Sequence, residues 1–247
     1  MQQTPQQTIH ELFNSNVNDA SMVYEFNLLD RSVSQKLWST AYYRDQIVDI
    51  DINTFRFFPS ASATQSAGST TTADVMLNLQ DYCRHLNRLL DGFFMNSMST
   101  LDTLAHEIFV LHTFHTTPSN IYITTARDML LSTHVGSVTG ALLDNELNKR
   151  WFTEFTPFRH CTTHESLIRH DDVTVSYDYL TNRYKLSRKI RLPDNPQLRP
   201  FTYSRNRIAS DYCQFVSKNI ERLVSKVFES VLKDIQRNAG RLPIPIP

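Results

Sequence analysis

Apolar residues recur every three or four positions from about Ala73 to Phe114. This spacing is typical of one face of a long helix, and it is the strongest periodic signal in the chain. Gly92 is the position at which such a helix is expected to kink or divide. The whole chain has only five glycines, which excludes a glycine-rich phosphate-binding loop. The sequence therefore predicts a mainly helical protein.

Other segments complete the fold prediction. Helical spacing is found over about 19–43, 121–134, 138–155 and 208–235, and Gly240 is expected to cap the last helix. Apolar and polar residues alternate over 47–58, which favours a short strand or an extended connection. They also alternate over 173–192, with a turn near Thr181 and Asn182, which predicts a β-hairpin. The predicted fold class is all-α (mainly), an up-and-down helical bundle with one inserted β-hairpin.

A single helical domain is predicted over residues 8–240. Residues 1–7 are rich in Gln and Thr and are expected to form a disordered tail. Residues 59–73 are small and polar throughout, which predicts a flexible loop. Residues 241–247 form a Pro-rich tail that is expected to be extended.

Composition indicates a soluble cytoplasmic protein. The 25 basic residues balance the 25 acidic ones, so the net charge draws the chain neither to nucleic acid nor to membranes. The three cysteines are odd in number and widely spread, which favours a reducing compartment over a disulfide framework. We see neither a signal peptide nor an apolar run long enough to span a membrane, so no membrane partner is expected.

The segment from Trp151 to His170 contains the main candidate site, Arg159-His160-Cys161-Thr162-Thr163-His164. Pro157 is expected to begin a helix here, with Thr156 as its N-cap. On that helix His160 and His164 share a face, and Arg159 lies one position round from His160. An imidazole can take the proton of a ribose 2′-hydroxyl, and a guanidinium can neutralise charge on a phosphate. These groups are the ones that metal-independent RNA cleavage needs.

The pattern resembles the signature of the HEPN superfamily, which is arginine, a polar residue, three residues and histidine. Residues 159–164 match that signature in full. The segment 93–109 resembles the core helix of a largely uncharacterised bacterial HEPN subgroup. Members of that subgroup also follow the motif with a PDNP-like turn, an FTY segment and a long last helix. The resemblance covers about residues 75–238 of this chain.

The resemblance implies a HEPN-like helical domain with metal-independent endoribonuclease activity, as in many HEPN toxins and phage-defence proteins. It implies a homodimer in which two motifs meet in one cleft, and an antitoxin or a defence-system protein as a further partner. In this reading Arg159 stabilises the scissile phosphate, His164 acts as general acid or base, and His160 orients its neighbours or the phosphate. No cofactor is expected.

Two other readings of the motif stay open. Some HEPN proteins are non-catalytic modules that only bind RNA or a protein partner. A purely structural helical interaction protein is the third class, in which Arg159 pairs with Glu154 or Glu165 and the histidines cap or pack. Activity that depends on Arg159 and His164 and survives chelation would separate these classes.

The sequence contains one further candidate for a functional site and no pattern for a metal site. Arg127 and His134 are seven residues apart and would share a helix face, although surface helices commonly carry such pairs. For metals, the chain has neither a CxxC nor an HExxH pattern. Because zinc sites need three or four well-placed ligands, no metal site is expected.

A basic stretch follows the motif between Arg183 and Arg207, with Asp194 as its one acid. Tyr184, Phe201 and Tyr203 lie among the cations, a combination that can follow a phosphate backbone and stack bases. The alternative is that charged side chains at a hairpin edge prevent aggregation. The predicted RNA-binding residues are Arg183, Lys185, Arg188, Lys189 and Arg191.

Overall fold

The computed structural model describes residues 3–52, 72–112, 121–164, 168, 170–178, 180, 183–238 and 240–244. These residues form seven helices and two antiparallel strand pairs, which confirms the predicted all-α fold with a small inserted hairpin. None of the described helices combines the length and the apolar character that a membrane span requires. The elements are α1 (Pro5–Asn16), α2 (Ala20–Ile52), α3 (Thr72–Leu111), α4 (Ile123–Thr133), α5 (Val138–Leu147), α6 (Arg150–His164), β1 (Val175–Asp178), β2 (Arg183–Leu186), β3 (Arg191–Leu192), β4 (Arg207–Ile208) and α7 (Ala209–Arg237).

The N-terminal helix contradicts the disordered tail predicted over residues 1–7 from Thr4 onward, and residues 1 and 2 lie outside the described part of the chain. Thr4 and Gln7 form a capping box, in which each side chain accepts a hydrogen bond from the main-chain N–H of the other residue. Pro5 occupies the first helical position, where its missing N–H costs nothing. The helix buries Ile9 and Phe13, so the apolar residues that follow the polar start anchor it.

Helix α2 is longer than predicted. It continues through Ile52, where the alternating residues of 47–58 favour a strand. Ile47 and Ile50 are both buried, and their spacing of three places them on one helix face, whereas a strand would point them to opposite sides. Residues 53–58 of that segment lie outside the described part of the chain. The same holds for most of the loop predicted over 59–73, except that α3 already begins at Thr72.

Helix α3 is continuous through Gly92, so the predicted division at that residue is wrong. A side chain at Gly92 would collide with the ring of Tyr43, which lies directly against the glycine. The glycine is therefore explained by close packing of an aromatic ring, since only a residue without a Cβ leaves that room.

The motif helix begins earlier than predicted. Helix α6 starts at Arg150, and Pro157 lies inside it instead of at its first turn. Thr156 is likewise no N-cap, because its hydroxyl donates to the carbonyl of Phe152 one turn back. The helix predicted over 138–155 is divided into α5 and the first half of α6. An internal proline removes one helical hydrogen bond, and the surrounding packing must offset that loss.

The hairpin is shorter than the predicted range of 173–192. Strands β1 and β2 pair antiparallel with Val175 opposite Leu186 and Asp178 opposite Arg183. The return strand ends at Leu186, and β3 pairs instead with β4, which lies just before α7. The residues between β3 and β4 therefore form a closed loop.

Helix α7 has the charge distribution that its dipole favours, with Asp211 in the first turn and Arg237 in the last. The helix ends at Arg237 and is closed as predicted by Gly240, whose φ is +74° and whose N–H donates to the carbonyl of Ile235 over 3.0 Å. Of the extended tail predicted over 241–247, residues 241–244 are described and partly buried, whereas residues 245–247 lie outside the described part of the chain. Leu242 and Ile244 are buried, and the N–H of Ile244 donates to the carbonyl of Leu111 over 2.8 Å.

The chain forms two compact units. Helices α2, α3, α6 and α7 contribute a segment to each, and the single domain predicted over 8–240 stays a prediction. In the first unit the rings of Phe13 and Phe26 stack with centroids 4.3 Å apart. In the second unit Phe94 and Phe158 stack at 4.9 Å. The first unit comprises Met1–Ser39, Asn96–Thr156 and Ser217–Pro247, and the second comprises Thr40–Met95 and Pro157–Val216.

Candidate functional site

The predicted motif occupies the last two turns of α6. Phe158 and Cys161, three residues apart, are buried and define the inner face of these turns. His160 is exposed and Arg159 is half-buried, so both lie away from that face. The sequence period explains this placement, because a helix that buries positions 158 and 161 must turn position 160 outward.

Aromatic packing fixes the rotation of this end of α6. The ring of Phe158 stacks on Phe94 with an interplanar angle of 11° and also lies 5.4 Å from the ring of Tyr212. Each such ring pair adds about 0.5–1.5 kcal/mol beyond the area it buries. The helix face that carries the motif is therefore held by a specific contact.

Helical geometry sets the relative directions of the three motif residues. At about 100° per residue, His160 and His164 lie about 40° apart and share a face, whereas Arg159 and His164 lie about 140° apart. His164 is the last residue of α6, and its side chain lies outside the described part of the structure. Of the acids weighed as partners of Arg159, Glu154 forms an ion pair of 2.8 Å with Arg150, and Glu165 lies outside the described residues.

The chain after α6 is held to α3 by a hydrogen bond within the second unit. The N–H of Ile168 donates to a carboxylate oxygen of Asp91 over 3.2 Å. Burial raises the pKa of Asp91 although this hydrogen bond acts in the opposite direction. His170 donates through Nδ1 to the carbonyl of Asp171 over 2.7 Å, because a carbonyl can only accept.

Two of the predicted RNA-binding cations lie on one buried carboxylate. Asp171 accepts hydrogen bonds from the main-chain N–H of Arg191 over 2.7 Å and from its Nε over 2.8 Å. Arg188 lies 3.3 Å from the same carboxylate and also donates to the carbonyl of Asp172. These contacts hold the chain after α6 against β3, so part of the predicted basic surface has a structural role.

Arg207, at the end of the basic stretch, is buried. Its guanidinium lies over the rings of Phe158 and Tyr212, 5.2 and 4.7 Å from their centroids. It also donates to the carbonyls of Pro193 and Asp194 over 2.8 and 3.2 Å. This cation stabilises the packing beneath the motif and is not exposed to a ligand.

Asp194 organises the loop between β3 and β4. It accepts hydrogen bonds from the hydroxyls of Thr202 and Ser204 and from the main-chain N–H groups of Ser204 and Arg205. Although burial acts to raise it, these hydrogen bonds hold the pKa of Asp194 well below its usual range. The single acid of the basic stretch is thus a loop anchor.

Among the remaining cations, Lys189 is the one described member of the predicted set that reaches mainly into solvent. Its side chain is 58% exposed and lies 3.9 Å from Asp51. Arg199 lies over the ring of Phe201 at 5.6 Å. Arg183 and Lys185 belong to β2, but their side chains lie outside the described part of the structure.

The candidate pair Arg127 and His134 does not form a shared helix face. Helix α4 ends at Thr133, and His134 is its C-cap with a non-helical backbone. Arg127 forms an ion pair of 2.8 Å with its neighbour Asp128, whereas His134 is buried. The expectation is wrong because the helix ends one residue too early for the pattern to apply.

A polar cluster in the first unit is not predicted by the sequence. His112 and His134 lie edge to face with ring centroids 5.2 Å apart, and Nε2 of His112 lies 3.8 Å from Asp234. Nδ1 of His112 donates to the carbonyl of Ile108 over 3.0 Å. The cluster borders a cavity of about 200 Å³ that Ser137 and Arg237 also line.

Asp234 holds the start of α5. Its carboxylate accepts hydrogen bonds from the Ser137 hydroxyl and from the N–H groups of Val138 and Thr139, at 2.7–3.0 Å. Burial acts to raise the pKa of Asp234, but the nearby His112 ring and the hydrogen bonds from these N–H groups keep it well below its usual range. The sequence can indicate the start of α5 through Ser137, a typical N-cap residue before an apolar run. No local pattern indicates the carboxylate of Asp234, which lies 97 residues away in the chain.

Chemical groups for other reactions are scarce in the described residues. Among them, no three metal-binding side chains are grouped closely enough to hold an ion. Burial raises the pKa of the Cys213 thiol, which disfavours a nucleophilic thiolate there. No family model, no curated protein and no solved structure matches the chain.

Proposed function

We propose that the protein is a metal-independent endoribonuclease of HEPN type, and that it acts as a homodimer. The observation that supports this proposal is the arrangement of the last two turns of α6. Their inner face is buried through Phe158 and Cys161, while His160 is exposed and Arg159 is half-buried. A guanidinium and an imidazole are thereby presented on a rigid element, as a phosphate-binding site requires.

The proposed reaction needs only the groups of this motif. An imidazole, assigned to His164, takes the proton of the ribose 2′-hydroxyl or protonates the leaving group. The 2′-oxygen attacks phosphorus, the bond to the 5′-oxygen breaks, and that oxygen leaves with a proton. Arg159 neutralises the charge that develops on the phosphate oxygens, and His160 orients the phosphate. The products are a 2′,3′-cyclic phosphate and a 5′-hydroxyl.

The test is RNA cleavage by the wild type, Arg159→Ala and His164→Ala in the presence of EDTA, with the product ends identified. We expect the wild type to produce 2′,3′-cyclic phosphate ends despite chelation. Each substitution should lower the rate about 100-fold or more, as the removal of an acid–base group or of an electrostatic stabiliser does. Arg159→Lys keeps the charge and should retain more activity than Arg159→Ala.

His85→Ala is the matched control, because His85 is another exposed histidine of the second unit and lies outside the motif. Its activity should equal that of the wild type. Cleavage that persists in both motif variants would assign the activity to another site or to a contaminant. The absence of cleavage of any RNA by folded wild-type protein would contradict the proposal.

A non-catalytic module that binds RNA or a protein partner is the second candidate. For this candidate the contacts of the basic stretch favour a protein partner over RNA, because Arg188, Arg191 and Arg207 are engaged within the chain. This candidate predicts partner binding that is unchanged in His164→Ala. An antitoxin or a defence-system protein is the partner that the HEPN resemblance suggests for it.

A further inference from the structure

Three cations surround one buried carboxylate in the first unit. Glu146 lies near the end of α5, and only 1% of its side chain is exposed. The ammonium nitrogens of Lys149 and Lys226 lie 2.8 and 2.9 Å from the same carboxylate oxygen, Oε1. The guanidinium of Arg222 lies 3.6 Å from the other oxygen, Oε2. Glu146 therefore brings together one cation from the residue before α6 and two from neighbouring turns of α7.

Glu146 is the fixed anion of this cluster. Burial acts to raise its pKa, but the hydrogen bonds from Lys149 and Lys226 lower that pKa below its ordinary value. The carboxylate is therefore ionised near neutral pH. Because it is buried and accepts from two different segments of the chain, it holds the cations in defined positions.

The cluster carries more positive charge than Glu146 requires. One cation neutralises one carboxylate, so three cations leave two positive charges in excess. Lys149, Arg222 and Lys226 pair with no other carboxylate among the described residues. Lys149 and Lys226 contact the same oxygen, which places their ammonium nitrogens within about 6 Å of each other, where like charges repel. Neutralising Glu146 therefore does not account for the whole cluster.

The three cations also keep hydrogen-bond donors for a ligand. The side chains of Lys149, Arg222 and Lys226 are 39, 49 and 40% exposed. An ammonium group has three N–H donors and a guanidinium has five. Each lysine uses one of them on Glu146, and Arg222 uses one on the side-chain oxygen of Asn219 over 2.6 Å. The other donors have no acceptor in the part of the chain that the structure describes.

We propose that Lys149, Arg222 and Lys226 bind the phosphate group of a small phosphomonoester. Such a group carries a charge of about −1.5 to −2 near pH 7, which matches the excess of positive charge in the cluster. Its oxygens accept short, strong hydrogen bonds from ammonium and guanidinium groups. Since Glu146 already orders the cations, little side-chain entropy is lost when the ligand binds. This proposal does not depend on RNA cleavage.

The charge of the cluster also separates a phosphomonoester from a phosphodiester. A phosphodiester carries a single negative charge, as each phosphate of a nucleic acid backbone does. It would leave one positive charge of the cluster unneutralised, and one of its oxygens is blocked by the second ester bond. We therefore expect the cluster to prefer the monoester.

The test is the affinity of the whole chain for methyl phosphate, measured by phosphorus NMR at pH 8 and about 50 mM salt, with dimethyl phosphate as the matched diester. We expect a dissociation constant of about 1 mM or less for methyl phosphate and a value at least about 10-fold higher for dimethyl phosphate. Arg222→Gln and Lys226→Gln should each raise the dissociation constant of methyl phosphate about 10-fold, because each removes a charge-assisted hydrogen bond but keeps an amide donor for its partner in the chain. Arg222→Lys keeps the charge and should bind more tightly than Arg222→Gln.

Lys233→Gln is the control, because Lys233 is an exposed cation of α7 outside the cluster. It removes the same charge from the molecule and should leave the dissociation constant unchanged. Thermal unfolding without ligand verifies that each variant is folded. A wild type that does not bind methyl phosphate up to about 10 mM would overturn the proposal. Equal affinity for the monoester and the diester would do so too, as would an equal loss of affinity in Lys233→Gln and Lys226→Gln.

Discussion

Glu107 is an ionisable residue in an environment that disfavours its charge. It lies on α3 with no exposed surface, and its carboxyl oxygens find no hydrogen-bond partner among the described residues. Burial, followed by the negative charge of Asp30, raises the pKa of Glu107 well above its ordinary value. The folded protein therefore favours the neutral acid, whereas the unfolded chain ionises at its usual pH.

Replacing Glu107 should show how much the ionised carboxylate destabilises the folded protein. A raised folded-state pKa contributes stability that is present below the unfolded pKa and is lost as pH rises toward the folded pKa. Glu107→Gln should therefore match the wild type near pH 4 and exceed its free energy of unfolding by about 1–3 kcal/mol near pH 8. Urea denaturation at both pH values measures the difference.

The exposed Glu229→Gln is the control and should shift stability equally at both pH values. A Glu107→Gln variant that is less stable than the wild type near pH 8 would show that the carboxylate has a favourable partner.

At the scale of single elements, α5 depends on a carboxylate that another helix supplies. Asp234→Asn keeps the shape of the side chain and one acceptor oxygen, but it replaces the other oxygen with an amide donor where an N–H group needs an acceptor. We expect a loss of about 2 kcal/mol or more at pH 7, since hydrogen bonds to charged groups are the strong ones. Hydrogen exchange should show faster opening of Val138–Leu147.

The stability change caused by Asp234→Asn depends on pH in the opposite direction to the change caused by Glu107→Gln. A lowered folded-state pKa contributes stability above the unfolded pKa, and that stability is lost as pH falls through the folded pKa. The difference between the wild type and Asp234→Asn should therefore shrink below about pH 4. Asp128→Asn, at a 63% exposed position, is the control and should be nearly neutral. An unchanged stability of Asp234→Asn at pH 7 would contradict this role.

The sequence predicts elements well where local signals are sufficient. Helix α7 and its Gly240 cap are predictable because periodicity, charge placement and a positive-φ glycine agree. The end of α2 is not, because Val48, Ile50 and Ile52 alternate as in a strand while Ile47 and Ile50 have helical spacing, and only tertiary packing decides between the two periods. Pro157 is misplaced because proline usually begins a helix, whereas here the packing of Phe158 keeps the helix intact around it.

The candidate site is likewise predictable only where local periodicity is sufficient. The outward placement of His160 follows from the period of α6 alone. The engagement of Arg191 by Asp171 and of Arg207 by two aromatic rings does not follow from any local pattern, because each set of contacts includes residues far apart in the chain. Counting the cations identifies a basic stretch, but it does not show which of these residues already form contacts within the chain.

The charge of the whole molecule limits how it can hold RNA. Its basic and acidic residues are equal in number, so no long-range field attracts a polyanion. Within the described residues, Arg188, Arg191 and Arg207 already have partners in the chain. Under the proposed function, contact with RNA must therefore be short and local, centred on the motif and on cations such as Lys189.

This distribution predicts a weak dependence of RNA binding on salt. Each phosphate contact to a single strand contributes about 0.7 to the slope of log affinity against log salt, so two or three contacts give a slope of about −2. Fluorescence anisotropy of a labelled single-stranded RNA, from about 50 to about 300 mM salt, measures it. Lys189→Ala should reduce the slope by about 0.7 without changing Tm, whereas Arg207→Ala should lower Tm because it removes buried packing. A slope steeper than about −6 would show that RNA follows an extended basic surface, and the local site would then be wrong.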